Sequence, residues 1–316
     1  MKFLTAFFRL VRWPNLLFIL LTQLLFYYCI VLPSLPLSYF ALGKKLTEPV
    51  LWLLALASVL IAAGGYIIND YFDINIDRVN KPDKMVVEKV IYRRWAIIWH
   101  LVLTAAGLLL SLYVSLKTNF VVVAANVVCA ALLWFYSTTF KKKLLSGNII
   151  ISALMAWTVL VLYVAANTAP SARFGADEQI MQAMQRIYKF AVLYAGFAFI
   201  LSLVREVVKD IEDMEGDVRY GCNTMPIAWG VPAAKVFAGV WLVVLIGSLL
   251  VLQLYVLQLH WWWSALYCIV LLVVPLLLIL RRITQAQVTA DYHRISSLIK
   301  WVILPGILSM IFFRIY

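Results

Sequence analysis

The sequence predicts an all-α, polytopic membrane protein with nine spans. Of its 316 residues, 65% are hydrophobic and 13% charged, against the roughly 45–50% apolar usage of soluble domains. Several apolar runs approach or exceed the roughly 20 residues a helix needs to cross a bilayer. The basic residues fall mostly between those runs. In a soluble chain a net charge of +12 would suggest nucleic acid. Here cytoplasmic loops and anionic head groups account for it, and nucleic acid is excluded as a partner. The four cysteines, Cys29, Cys129, Cys222 and Cys268, form no CxxC pair. Three of them lie in apolar runs, so neither a disulfide framework nor a zinc site is expected.

The elements follow in order, with boundaries good to about two to four residues. Residues 1–13 read as a short amphipathic segment, with Phe3, Leu4, Phe7, Phe8 and Val11 against Lys2, Arg9 and Arg12. Pro14 suits a helix start and opens span one, about 15–32, which lacks a clear cleavage site and reads as retained. Pro33, Pro36 and Gly43 mark a loop before span two, about 49–70. A polar, basic stretch over about 78–92 leads to span three, about 94–114, and span four, about 119–137. Lys141-Lys142-Lys143 form a basic turn before span five, about 148–166. A polar segment over about 167–184 precedes span six, about 187–208. Gly221, Pro226, Gly230 and Pro232 mark the next loop, followed by span seven, about 234–256. Trp261-Trp262-Trp263 suit an interfacial belt before span eight, about 264–280. A further polar loop leads to span nine, about 296–313.

With a cytoplasmic N-terminus, all but seven of the 27 Lys and Arg residues face the cytoplasm. The seven are Lys44, Lys45, Lys117, Arg173, Arg186, Lys189 and Arg314. This places the chain in the cytoplasmic membrane if its source is prokaryotic.

Two acidic stretches stand out at span ends. Asp70, Asp73 and Asp77 fall at i, i+3 and i+7, so on a helix they share one face, with Asn69 beside them. Asp210, Asp213 and Asp217 repeat the spacing. Like charges so placed repel by a few tenths of a kcal/mol per exposed pair, roughly, and by more near a membrane. A cation among them is required, and Mg²⁺ is the first candidate, because it takes oxygen ligands and shares one or two carboxylates with phosphate oxygens. Each ladder follows the second span of a four-span block, one to four and five to eight. That suggests a duplicated half, 1–147 and 148–316 within one domain, with span nine appended. Basic residues on the same membrane side suit a diphosphate: Arg78, Lys81 and Lys84 after the first ladder, Arg205 and Lys209 before the second, and Lys141 in the basic turn. A diphosphate at the mouth of an apolar bundle points to a lipid diphosphate. If that lipid is allylic, the bundle shields the cation left by diphosphate loss. Tyr66, Tyr71, Phe72, Trp134, Tyr136 and Trp157 could face it, although aromatics are 14% of the chain and packing accounts for each singly. His100, His260 and His293 lie apart from the ladders and read as polar-interface residues.

Asn69-Asp70-x-x-Asp73-x-x-x-Asp77 with Arg78-Val79-Asn80-Lys81-Pro82-Asp83-Lys84 resembles the first signature of the UbiA superfamily of intramembrane prenyltransferases. Lys209-Asp210-Ile211-Glu212-Asp213-Met214-Glu215-Gly216-Asp217 resembles the second, in its D-x-E-G-D form. The segment 221–230, Tyr136-Ser137, Lys141 and Gly147-Asn148 also resemble family segments. The resemblance implies nine helices around a central cavity capped on the cytoplasmic side. It implies Mg²⁺-dependent transfer of a prenyl chain from its diphosphate to an acceptor. Asn69, Asp70, Asp73, Asp77, Asp210, Asp213 and Asp217 would hold metal, with Asp73, Asp77, Asp213 and Asp217 central to catalysis. Arg78, Lys81, Lys84, Lys141, Arg205 and Lys209 would meet diphosphate. Beside the resemblance, Arg12, Asn15 and Tyr136 are candidate substrate-binding residues: Arg12 and Asn15 could meet the acceptor's charged head, although Arg12 reads first as an interfacial anchor. Enzymes of the family that prenylate geranylgeranylglyceryl phosphate look nearest, and aromatic quinone precursors are the alternative acceptors. A cation transporter is the competing class. It would place acids near mid-span, whereas here they lie at span ends beside basic loops.

Overall fold

The computed structural model describes residues 2–168 and 178–316, and among these nearly every residue is helical, with one isolated bridge, Val87–Ile91, and no strand. Part of the polar segment expected over 167–184 lies at 169–177, outside the described residues. So do the side chains of Lys2, Phe3 and Lys84. An amphipathic helix α1, Lys2–Leu10, precedes span α2, Trp13–Ser34. Span α3, Glu48–Phe72, is followed by short α4, Ile74–Asn80. Spans α5, Arg93–Lys117, α6, Val121–Thr138, α7, Ser146–Ala166, and α8, Glu178–Glu212, come next. Short α9, Met214–Arg219, and α10, Met225–Ala228, lead to α11, Val231–Gln258, α12, Trp262–Gln285, and α13, Thr289–Ile315. The described residues thus hold nine helices long and apolar enough to cross a membrane.

Two spans begin earlier than their apolar runs. α8 has 35 residues, roughly 50 Å at 1.5 Å per residue, well beyond a hydrocarbon core of about 30 Å. Its first turns bury Ile180, Ala183, Met184 and Ile187, one stripe at helical spacing, and expose Glu178, Gln179, Gln182 and Arg186. α13 does the same with Tyr292, Ile295, Ser296 and Ile299. Two spans also contain a π turn, Tyr27–Val31 in α2 and Ile269–Val273 in α12. Pro33 and Pro275 follow within two residues. A proline removes one helical N–H and its ring crowds the carbonyl four residues back, and a widened turn relieves both.

The chain forms two compact units, residues 1–138 with 157–195 and residues 139–156 with 196–316. They differ from the sequence halves 1–147 and 148–316, because α7 and α8 contribute to both. In the first unit α3 and α5 pack through small residues. A Cβ on Gly64 would lie 2.3 Å from Thr104 Oγ1, and one on Gly107 would lie 2.8 Å from Ile61 Cγ1 and 3.0 Å from the Ala57 carbonyl. Close backbone approach of this kind is how helices associate where lipid removes the hydrophobic driving force. Polar side chains add cross-links between spans. Gln23 donates to Ser58 Oγ and to the Thr158 carbonyl, both at 3.0 Å. Asn126 donates to Ser111 and accepts from the Trp157 indole at 2.8 and 2.9 Å. In the second unit Leu201, Val204, Leu242, Leu276, Ile279 and Ile299 belong to one core.

Gly107→Val should overpack the α3–α5 contact and cost about 1–3 kcal/mol, read as a lowered unfolding midpoint of the protein in detergent. A midpoint equal to wild type would refute the close-packing account.

Candidate functional site

Each acidic motif straddles a break rather than lying on one continuous helix. α3 ends at Phe72, and Asp73 (φ −85°, ψ −4°) separates it from α4. α8 ends at Glu212, and Asp213 (φ −93°, ψ 4°) separates it from α9. Aspartate is a weak helix former because its short carboxylate competes for backbone groups. The break is mild. Asp73 N donates to Asn69 O at 3.0 Å and Asp77 N to Asp73 O at 2.8 Å. Asp213 N donates to Lys209 O at 2.8 Å and Asp217 N to Asp213 O at 3.2 Å. The i→i−4 bonds therefore continue across both breaks.

In the first unit Asp73 is buried, while Asp70 and Asp77 are half-buried. Asn69 Nδ2 donates to Asp73 Oδ2 at 2.7 Å. Asn69 Oδ1 is buried with no hydrogen-bond donor. Arg12 sits at the joint between α1 and α2 in the left-handed region, φ 53° and ψ 51°, a conformation costing a residue with a Cβ about 1–2 kcal/mol. Its Nη2 donates to Asp70 Oδ1 at 2.7 Å, and the guanidinium lies 5.1 Å from the Tyr66 ring centroid. Burial alone would lower the guanidinium pKa, but Asp70, Tyr66 and Asp73 outweigh it and the net shift is upward. The apolar face of α1, Ala6 and Leu10 with Val11, belongs to one core with Ile74, Val86, Val87 and Ile91. The amphipathic N-terminal segment thus braces the stretch that follows the first motif.

Arg78 pairs with Glu88. Arg93 also lies 3.6 Å from Glu88 and 4.9 Å from the Tyr71 ring centroid. Glu88 itself has φ 73°, which turns the chain back toward these cations. Lys81 is half-buried beside a single turn at Pro82–Lys84. Asn15 in α2 and Tyr136 in α6 are half-buried.

In the second unit Asp217 is buried and Asp213 half-buried. Asn148, buried near the start of α7, donates to Asp210 Oδ2 at 2.8 Å. Glu206 is held by Arg205 Nη1 at 3.0 Å and Lys209 Nζ at 3.4 Å. Arg205 Nε is buried with no acceptor. Glu212 contacts His293 Nδ1 at 2.8 Å. Lys141 is half-buried in the turn Phe140–Lys142, where the Lys142 carbonyl accepts from Asn223 N at 2.8 Å. His100, expected at an interface, is instead buried in α5 and bonded to the Gly64 carbonyl at 2.9 Å.

The unmatched atoms suit the expected ligands. Asn69 Oδ1 is a hard oxygen awaiting a donor or cation, and Arg205 Nε is a donor awaiting an acceptor such as a phosphate oxygen. Among the described residues no three His, Cys, Asp or Glu side chains gather as a metal group. That is compatible with Mg²⁺, which completes its shell with waters and substrate phosphates. From the sequence Glu206 and Glu88 had no site role, and Asn148 stood only as part of a segment resembling the family. Glu206, three residues before Lys209, was the most findable, since that spacing places both on one helix face.

The family model of the UbiA prenyltransferase family matches residues 30–303. Digeranylgeranylglyceryl phosphate synthase of Thermococcus gammatolerans is 35% identical over 193 residues, 61% of this chain and 62% of that protein. The chain therefore spans less than two thirds of that relative's length. The same-named protein of Methanothermobacter thermautotrophicus is 35% identical over 257 residues, covering 78% of this chain and 79% of its own. A solved UbiA homologue from Archaeoglobus fulgidus, bound to DMAPP and Mg²⁺, shares the fold with a TM-score of 0.57 at 18% identity, over 96% of this chain and 99% of its own.

A double-mutant cycle of Asn148→Ala and Asp210→Ala should give a coupling of about 1.5–3 kcal/mol in unfolding free energy, as for a hydrogen bond to a charged group. A coupling near zero would show that the contact does not hold Asp210.

Proposed function

The chain belongs to the UbiA prenyltransferase family, and from that membership we propose that it transfers a prenyl chain from an allylic prenyl diphosphate to geranylgeranylglyceryl phosphate, with Mg²⁺. The observation that carries the reading is the pair of acidic motifs at span ends, each broken at its central aspartate and each flanked by basic side chains. The names of the two relatives support the acceptor. The DMAPP and Mg²⁺ bound by the Archaeoglobus fulgidus homologue support the donor and the metal.

Asn69, Asp70, Asp73 and Asp77 in the first motif, and Asp210, Asp213 and Asp217 in the second, would hold metal and, through it, diphosphate oxygens. The metal, when bound, supplies positive charge to the leaving diphosphate. Lys81, Lys84, Lys141, Arg78, Arg205 and Lys209 add to that charge. In the transfer, the allylic C–O bond breaks and its electron pair leaves with the diphosphate. A hydroxyl oxygen of the acceptor bonds to the allylic carbon and gives up its proton to the departed diphosphate. Apolar span surfaces exclude the water that would otherwise quench the carbocation. Arg12 and Asn15 are assigned to the acceptor's polar head and Tyr136 to substrate binding. The mouth of the site faces the cytoplasm, on the side that carries most of the Lys and Arg residues.

Asp73→Ala and Asp213→Ala should each lower transfer from labelled geranylgeranyl diphosphate by roughly a hundredfold or more while the protein still inserts in membranes. Either variant turning over like wild type would refute the metal assignment. An acceptor screen read by product mass should yield the doubly prenylated glyceryl phosphate. A quinone precursor prenylated in its place would overturn the acceptor.

A further inference from the structure

We propose that Arg12 changes partners during the reaction: it holds Asp70 while no metal is bound, and a divalent cation at Asp70 releases it to the phosphate of the acceptor. The acceptor half rests on the function proposed above, whereas the metal half does not.

Arg12 Nη2 lies 2.7 Å from Asp70 Oδ1, so the guanidinium and a cation ligated by Asp70 would compete for one carboxylate. Two cations brought to one carboxylate in a poorly solvated place repel each other. The Arg12 backbone is left-handed, a conformation that a side-chain-bearing residue does not choose unaided. The ion pair and the stack on Tyr66 hold it there. Loss of the ion pair would remove part of that support and let the joint between α1 and α2 relax. The Arg12 side chain is 37% exposed and gives Asp70 a single nitrogen. The rest of its planar fork therefore remains reachable, and that fork matches phosphate oxygens two at a time.

The second motif supplies the contrast. Asp210 occupies the position of Asp70, and its partner is the neutral amide of Asn148. No cation has to leave there when a metal arrives. The consequence of release at Arg12 also has a structural path. α1 and Val11 share a core with Val86, Val87 and Ile91, so movement at the joint reaches the segment after the first motif.

The test uses the full chain in detergent with Mn²⁺ as probe and no substrate. Binding read by electron paramagnetic resonance should tighten about three- to fivefold in Arg12→Gln, the worth of a partly exposed ion pair. It should stay within about twofold of wild type in Arg12→Lys and in Arg9→Gln, where the charge at Arg12 is kept. In wild type, Mg²⁺ should speed hydrogen exchange over residues 2–10. In turnover, Arg12→Gln should raise the KM for geranylgeranylglyceryl phosphate while leaving that for prenyl diphosphate in place. Unchanged or weakened Mn²⁺ binding in Arg12→Gln, or exchange over 2–10 indifferent to Mg²⁺, would overturn the exchange of partners. Both KM values rising together would overturn the acceptor half. Absence of turnover with any phosphate acceptor in wild type would refute the proposed function, and the two substrate-free measurements would still decide whether the metal displaces Arg12.

Discussion

A carboxylate withdrawn from water must be given hydrogen-bond donors or a cation, and the helix ends of this protein are arranged around that requirement. Asp73, Asp217 and Glu206 are 5%, 4% and 9% exposed, positions where an uncompensated charge would be costly. Asp73 takes the amide of Asn69, and Glu206 takes both Arg205 and Lys209. Of the less buried acids, Asp70 takes Arg12, and Asp210 takes Asn148. Two of these donors, Arg12 and Asn148, come from another element, so neutralising the acids also fixes which helix heads lie beside which helix ends.

The same requirement has been met twice with one plan. In each unit a long span stops one residue before the central aspartate, and a short helix resumes one residue after it. Backbone bonds cross each break. The first aspartate of each motif is engaged from the head of the preceding span, by Arg12 just before α2 and by Asn148 in α7. The parallel is one of position, with different residues in equivalent places. What the two motifs share is the placement of a donor beside the first acid, a guanidinium in one and an amide in the other.

The spans were legible because hydrocarbon imposes length and apolarity on any helix that crosses it. The extended starts of α8 and α13 were not, because Glu178, Arg186 and Asp291 lowered the local apolarity while Ile180, Ala183, Met184 and Ile187 kept the helical period underneath. Periodicity was the better guide there than hydropathy. The π turns left only a proline as a trace. The acid spacing was legible and its breaks were not, since an i→i−4 bond preserved across Asp73 leaves the spacing unaltered. Partners far apart in sequence were beyond reach: nothing in the chain order links Asn148 to Asp210, or Arg12 to Asp70.

The pairing of the basic residues separates those that can turn to a ligand from those that cannot do so cheaply. Arg78 and Glu88 are 56% and 28% exposed in their side chains, so water can replace either partner and the pair is worth little. Glu206 is different. Its side chain is 11% exposed, and stripping Arg205 and Lys209 from it would leave a buried charge unpaired. In the diphosphate role proposed for them, those two cations would keep Glu206, and Arg205 Nε, which has no acceptor, would be the donor able to serve a phosphate at no loss. On this view Glu206 aims the cations rather than opposing them. On the proposed function, Arg78 would have to be recruited from Glu88, whereas Arg205 would bind without giving up Glu206.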